Sequence, residues 1–156
     1  MVLYLVQHGL CHNTEVDPLR GLSPEGLQTT QRIAGVAKHY TVRVDRIIHS
    51  GKERARQTAK VFEEFLHPAQ GVVEVAGIAP LDAVQSFASS LDPDAHLMVV
   101  GHLPFLQNLV SLLTTGNEYN RVYQFQNSGI ACLDAELGED GELDWYIKWT
   151  LNPVIS

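Results

Sequence analysis

A chain of 156 residues suits one domain, and a domain of that size buries about 68–70% of its unfolded surface, so its core needs no metal or disulfide staple. With 45% hydrophobic and 19% charged residues, the composition is that of an ordinary globular protein, and a formal net charge of -7 leaves no broad basic footprint for a nucleic-acid backbone. Any anion site must therefore be local.

Cys11 and Cys132 are the only cysteines, and neither has a paired metal or redox spacing, which predicts free thiols in a reducing compartment. The amino-terminal apolar run is about six residues long and has no basic leader, too short for a signal peptide or a membrane span. A cytoplasmic protein with no membrane partner is the expectation.

The apolar run through Val6 predicts a strand over 2–7, which ends at His8 and Gly9. A loop follows over 8–22. Ser23 before Pro24 is a helix start, because serine caps backbone donors and proline is preorganised at the first helical position, so a helix is predicted over 24–40. A second strand over 44–49 stops at Ser50 and Gly51, and Ala55, Thr58, Ala59, Phe62 and Phe65 recur at helical spacing over 52–66. Lys52, Arg54 and Arg56 then fall in a first helical turn. Cations there oppose the helix dipole, and a bound phosphate would compensate them.

A short strand near Val72 to Val75 comes next, then the Pro80 break and a short helix around Asp82 to Leu91. A strand over 95–100 leads to His102 and Pro104, and Leu106, Leu109, Val110 and Leu113 give the following helix its inward face. The alternation of strand and helix predicts parallel strands joined by crossover helices. Ser128 to Glu136 and Glu142 to Leu151 read as a hairpin around Gly138, Glu139, Asp140 and Gly141, which makes the sheet mixed at one edge.

Two histidines thus leave the ends of two strands. Ligands of open α/β sheets bind outside the carboxyl ends of strands, so His8 and His102 can face one crevice beside the cations of the second helix. Arg56 lies two residues beyond Arg54, on the opposite helix face, and reads as a solvent or structural cation. A zinc pair of His8 and His12 is disfavoured, because Gly9 and the preceding strand make that segment a loop. His39, His49, His67 and His96 carry no supporting pattern.

Gln7, His8 and Gly9, then Arg20, Gly21, Leu22, Ser23 and Gly26, then Ser50, Arg54, Ala55, Gln57 and Thr58, then Gly101 and His102, resemble in that order the histidine phosphatase superfamily. The short length resembles its SixA-type phosphohistidine phosphatases, and the match runs from the first strand to the final hairpin, one domain over 1–156. The resemblance implies an α/β fold, a three-layer αβα sandwich with a mostly parallel mixed sheet of the phosphoglycerate mutase-like type. It implies His8 as the nucleophile that accepts a phosphoryl group, with Arg54 and His102 binding phosphate oxygens and Arg20 supplying another cation. The substrate implied is a phosphorylated protein or a small labile phosphate, and the two-step reaction requires no metal or other cofactor.

At position 7 the family has arginine in its Arg-His-Gly signature, and this chain has Gln7. Glutamine donates hydrogen bonds but has neither the charge nor the bidentate fork of arginine, and a lost charge-assisted hydrogen bond is worth about 1.5–3 kcal/mol. That departure opens a second reading, a phosphate-binding or phosphoprotein-binding module without useful turnover. A third, a sugar-phosphate phosphatase or mutase, needs an acid for the leaving oxygen, and only Asp82 or Glu74 is in a region to supply it. Glu74 reads as solvent-facing and Asp82 as a cap of the short helix. His8 also needs a partner for its other ring nitrogen, for which a backbone carbonyl is a candidate, and Ser128 and Gly129 open a strand that approaches the site.

Overall fold

Val2 to Val6 are apolar at every position, the pattern of a strand covered on both faces, and in the computed structural model, which describes residues 1–154, they form the middle of the sheet. The last two residues of the expected 1–156 domain lie outside the described residues. Strand β1 (Val2–Gln7) lies between β4 (His96–Gly101), parallel to it, and β5 (Ile130–Leu137), antiparallel to it. Strand β2 (Arg46–His49) pairs in parallel with β4 and with β3 (Val72–Glu74), and β6 (Leu143–Leu151) closes the other edge against β5. The order is β3-β2-β4-β1-β5-β6, the mixed sheet expected.

Alternate residues of the central strands feed two cores. Tyr4, Val6, Ile47, Met98 and Val100 pack against Ile33, Ala34 and Ala37 of helix α1 (Pro24–His39) and Ala55, Ala59 and Phe62 of helix α2 (Glu53–Leu66). Leu3, Leu5, Ile48 and Val99 pack against Val84 of the short helix α3 (Val84–Ser89) and Phe105, Leu106, Leu109 and Val110 of helix α4 (Phe105–Thr115). Helices on both faces give the three-layer αβα sandwich. No described helix is long and apolar enough to cross a membrane.

Local chemistry sets the ends of the elements, and it moves some of them from where the sequence pattern puts them. Ser23 caps α1 as expected, its hydroxyl accepting the Gly26 N–H at 3.0 Å. β2 starts at Arg46 instead of Val44, because Asp45 turns its carboxylate to the His96 N–H at 2.9 Å and its own N–H to the His96 carbonyl. Asp82 does not cap the short helix. Its carboxylate accepts the Ala79 N–H at 2.8 Å, and α3 begins only at Val84. Ser128 has a left-handed backbone, φ 67°, and precedes β5, which opens at Ile130.

Register positions the chemistry. Gln7 is opposite Gly101, and His49 is opposite Val100, so β1, β4 and β2 end at nearly one height and release His8, His102 and Ser50 side by side. The first turn of α1 closes over the loop after β1 at Gly26, where an added Cβ would lie 1.9 Å from the Leu10 carbonyl oxygen. That oxygen is held by the Ser23 N–H and cannot swing away. Gly26→Ala is therefore expected to lower unfolding free energy by about 2–3 kcal/mol, read as a lower urea midpoint at constant m.

Candidate active site

His8 leaves β1 with its backbone held on three sides. Its N–H donates to the Gly101 carbonyl at 3.0 Å, its carbonyl accepts the Asn127 Nδ2 at 2.9 Å, and the next N–H, of Gly9, donates to Thr58 Oγ1 at 2.9 Å. Thr58 in turn donates to the Arg54 carbonyl one helical turn earlier. Gly9 is required here, since a Cβ would lie 2.7 Å from Thr30 Oγ1 and 2.9 Å from a Leu22 methyl.

The ring is fixed by the same glycine. His8 Nδ1–H donates to the Gly9 carbonyl at 2.8 Å, so the lone pair sits on Nε2, where Arg54 Nε–H donates at 3.3 Å. Burial pushes the His8 pKa down to about 4, against the Gly9 hydrogen bond and with the help of the Arg54 and Arg20 charges. At neutral pH the Nε2 lone pair is free of a proton.

His102 faces His8 across the site, their ring centroids 5.2 Å apart at 51°. Ser50 Oγ engages its Nε2 at 2.5 Å, which leaves Nδ1, buried and without a hydrogen-bond partner among the described residues. Burial, then the His8, Arg54 and Lys52 neighbours, push the His102 pKa down to about 3. Both imidazoles are neutral at pH 7.

Arg54 stands in the first turn of α2, and Arg20 reaches the same side from the loop, in a left-handed backbone with φ 54°. Asp17 builds that loop by accepting the Leu19 N–H at 3.0 Å and the Gly21 N–H at 2.9 Å. Arg20 donates only weakly, to the His12 carbonyl at 3.5 Å and the Cys11 sulfur at 3.6 Å, and no carboxylate pairs it or Arg54 among the described residues. Burial and then the Arg20 charge lower the Arg54 pKa, the mark of two cations crowded together. Arg56 points elsewhere and binds Glu53 in a fork at 2.6 and 2.9 Å. The open depression at the edge of the site is lined by Arg20, Lys52, Glu53 and Arg54, with Pro18, Leu19 and Gly51, and neither imidazole lines it.

The structure thus brings His8, His102 and Arg54 together and sets Arg20 at their edge. Gln7 stands one residue away on β1, but its side chain makes no hydrogen bond to any of them, and its Oε1 is buried without a donor among the described residues. Glu74 is exposed yet not free of the site's rim: a Cβ on Gly51 would lie 2.4 Å from its Oε1. Ser50 and Thr58 carry no assigned task in the sequence reading, Lys52 enters it only as one of three first-turn cations, and Asn127 is absent from it. A hydroxyl directly after a strand end was the available signal for Ser50. For Asn127, 119 residues from His8, there was none.

No protein-family model matches the chain. In sequence it is similar to the phosphohistidine phosphatase SixA of Escherichia coli (strain K12), 24% identical over 154 residues that cover 95% of this chain and 94% of that protein. In structure it is similar to the protein histidine phosphatase SixA complexed with tungstate, with a TM-score of 0.81, 24% identity, and 98% of this chain and 97% of that one covered. A mycobacterial glucosyl-3-phosphoglycerate phosphatase complexed with VO3 follows the same backbone, with a TM-score of 0.70, 15% identity and coverage of 97% and 98%. Over nearly its whole length, then, the chain is similar in sequence to SixA, and it has the fold of the protein histidine phosphatase SixA.

Proposed function

We propose that this protein is a phosphohistidine phosphatase that works through a phosphoryl group carried transiently on His8. One observation carries the reading: an unprotonated Nε2, fixed by the Gly9 carbonyl, faces a second imidazole with an unpartnered Nδ1 beside two guanidinium groups that no carboxylate neutralises. That arrangement suits an incoming trigonal phosphoryl group, whose transfer asks a protein for alignment and charge neutralisation.

In the first step the His8 Nε2–P bond forms as the substrate's P–N bond breaks, and the substrate imidazole, already protonated on its other ring nitrogen, departs neutral with the electron pair of the broken bond. In the second, water attacks phosphorus, the Nε2–P bond breaks with its electron pair returning to Nε2, and inorganic phosphate leaves with both protons of the water. Arg54 and Arg20 hold the equatorial oxygens, and His102 Nδ1, charged once the anion is present, holds another. Ser50 keeps Nδ1 turned inward.

The leaving group decides the substrate class. An alkoxide needs a strong acid, and a phosphohistidine does not. Asp82 is committed to the Ala79 N–H and Glu53 to Arg56 and Gln57, and among the described residues no carboxylate is hydrogen-bonded to His8, His102 or Arg54. A phosphorylated protein carrying phosphohistidine is therefore the substrate, in line with the names of the SixA relatives. Hydrolysis of a phosphohistidine peptide and an aryl phosphate ester, measured side by side at pH 7, is expected to favour the peptide in kcat/KM by at least about tenfold. A preference for the ester overturns the substrate, and phosphate binding with no turnover of either leaves the binding-module reading in its place.

A further inference from the structure

The site described above has two guanidinium groups, and position 7 adds no third. Gln7 is neutral, and its side chain makes no hydrogen bond to His8, Arg54 or His102. A phosphoryl dianion bound there would be held by less charge than the superfamily pattern provides. A further cation stands at the rim.

The chain has four lysines, and three have an evident place. Lys60 pairs Glu63 at 2.8 Å, Lys148 pairs Asp134 at 2.7 Å, and Lys38 lies in the last turn of α1, where the helix dipole favours a cation. Lys52 has none of these. It is the N-cap of α2, the helix end that disfavours positive charge, its side chain makes no capping hydrogen bond, and no carboxylate lies within 4.0 Å of it among the described residues. The adjacent Glu53 is already taken by Arg56 and Gln57.

Its position is that of a ligand contact. Lys52 lines the same depression as Arg20 and Arg54, and its charge is felt by His102, whose buried Nδ1 has no partner within the described residues. We propose that Lys52 is a phosphate-binding residue of this site, its ammonium supplying the charge that glutamine at position 7 does not. A flexible ammonium acts as a point charge, without arginine's fork, so it can reach the outer phosphoryl oxygens from the rim. The inference rests on the phosphatase reading above and deepens it.

The test reads binding and turnover separately. Binding of inorganic phosphate to the full-length protein is measured by calorimetry at low salt, and kcat/KM is measured for a phosphohistidine peptide. Lys52→Met is expected to weaken phosphate about tenfold and to lower kcat/KM by a similar factor, while Lys52→Arg stays within about threefold of wild type. Lys60→Met, a loss of the same charge on the outer part of the helix, changes neither. Gln7→Arg in the Lys52→Met background is expected to recover most of the affinity, since both positions serve one charge requirement; a double variant as weak as Lys52→Met overturns that part of the proposal. Phosphate affinity within twofold of wild type in Lys52→Met, with turnover intact in both, overturns the assignment of Lys52 alone. A wild-type protein that neither binds phosphate nor hydrolyses the peptide overturns the phosphatase reading together with it.

Discussion

His8→Ala is expected to lower phosphohistidine hydrolysis by at least about a thousandfold and to abolish phosphate incorporation into the protein. The His8 imidazole has its tautomer fixed by the 2.8 Å hydrogen bond to the Gly9 carbonyl, which leaves the lone pair on Nε2, beside Arg54. Alanine leaves Arg54, Arg20 and His102 in place, so phosphate binding survives while the covalent route does not. The intermediate is trapped by brief exposure to radiolabelled substrate and an alkaline denaturing quench, because phosphohistidine survives base and is lost in acid. A labelled wild-type protein that loses its label at low pH, and an unlabelled His8→Ala protein, are the expected pair. Turnover in His8→Ala above about a tenth of wild type means that water attacks the substrate directly and that His8 has another task.

The second large effect is on stability against pH. His8 and His102 titrate at about 4 and about 3 in the folded protein, against about 6.5 in an unfolded chain. Between pH 6.5 and 4 the unfolded chain therefore binds more protons than the folded one, and protonation favours unfolding. The stability held by two neutral imidazoles is fully present above about pH 6.5 and is lost as pH falls through about 4 for His8 and about 3 for His102, with a slope of up to about 2.7 kcal/mol per pH unit where both contribute. Urea midpoints at pH 7, 6 and 5 read it directly. His102→Asn should flatten the profile, and saturating phosphate should do the same by pairing the imidazolium that forms. A midpoint unchanged from pH 7 to pH 5 overturns the picture of two uncharged rings.

Much of this site is legible in the sequence because strand ends are. An apolar run stopped by His8-Gly9 and another stopped by Gly101-His102 need only parallel pairing to bring the two rings together, and the alternation of strands and helices supplies that pairing. Arg54 is legible for a similar reason, as a cation in the first turn of a helix that starts just after a third strand end. Arg56 reads correctly as outward-facing from helical spacing alone. What stays hidden depends on partners far away in the chain or on backbone detail. Asp82 follows a proline and looks like a cap, yet a nearer N–H in its own loop takes its carboxylate. Ser128 looks like the first residue of a strand, but its side chain meets Thr30 Oγ1 at 2.8 Å under a left-handed backbone, and the strand starts two residues later. The isolation of the Gln7 side chain follows from packing that no local pattern encodes.

The bonds that hold the reactive ring and its neighbours span long stretches of chain: Gly9 to Thr58 across 49 residues, Ser50 to His102 across 52, and His8 to Asn127 across 119. Closures of that length form late, after local helices and turns, because their entropy must be met before their contacts contribute. A nascent or half-collapsed chain accordingly carries histidines of unremarkable basicity, open to solvent and no better at capturing phosphorus than a free imidazole. Reactivity arrives only with the finished molecule, so that measuring it is also a measure of how much of the population has completed folding.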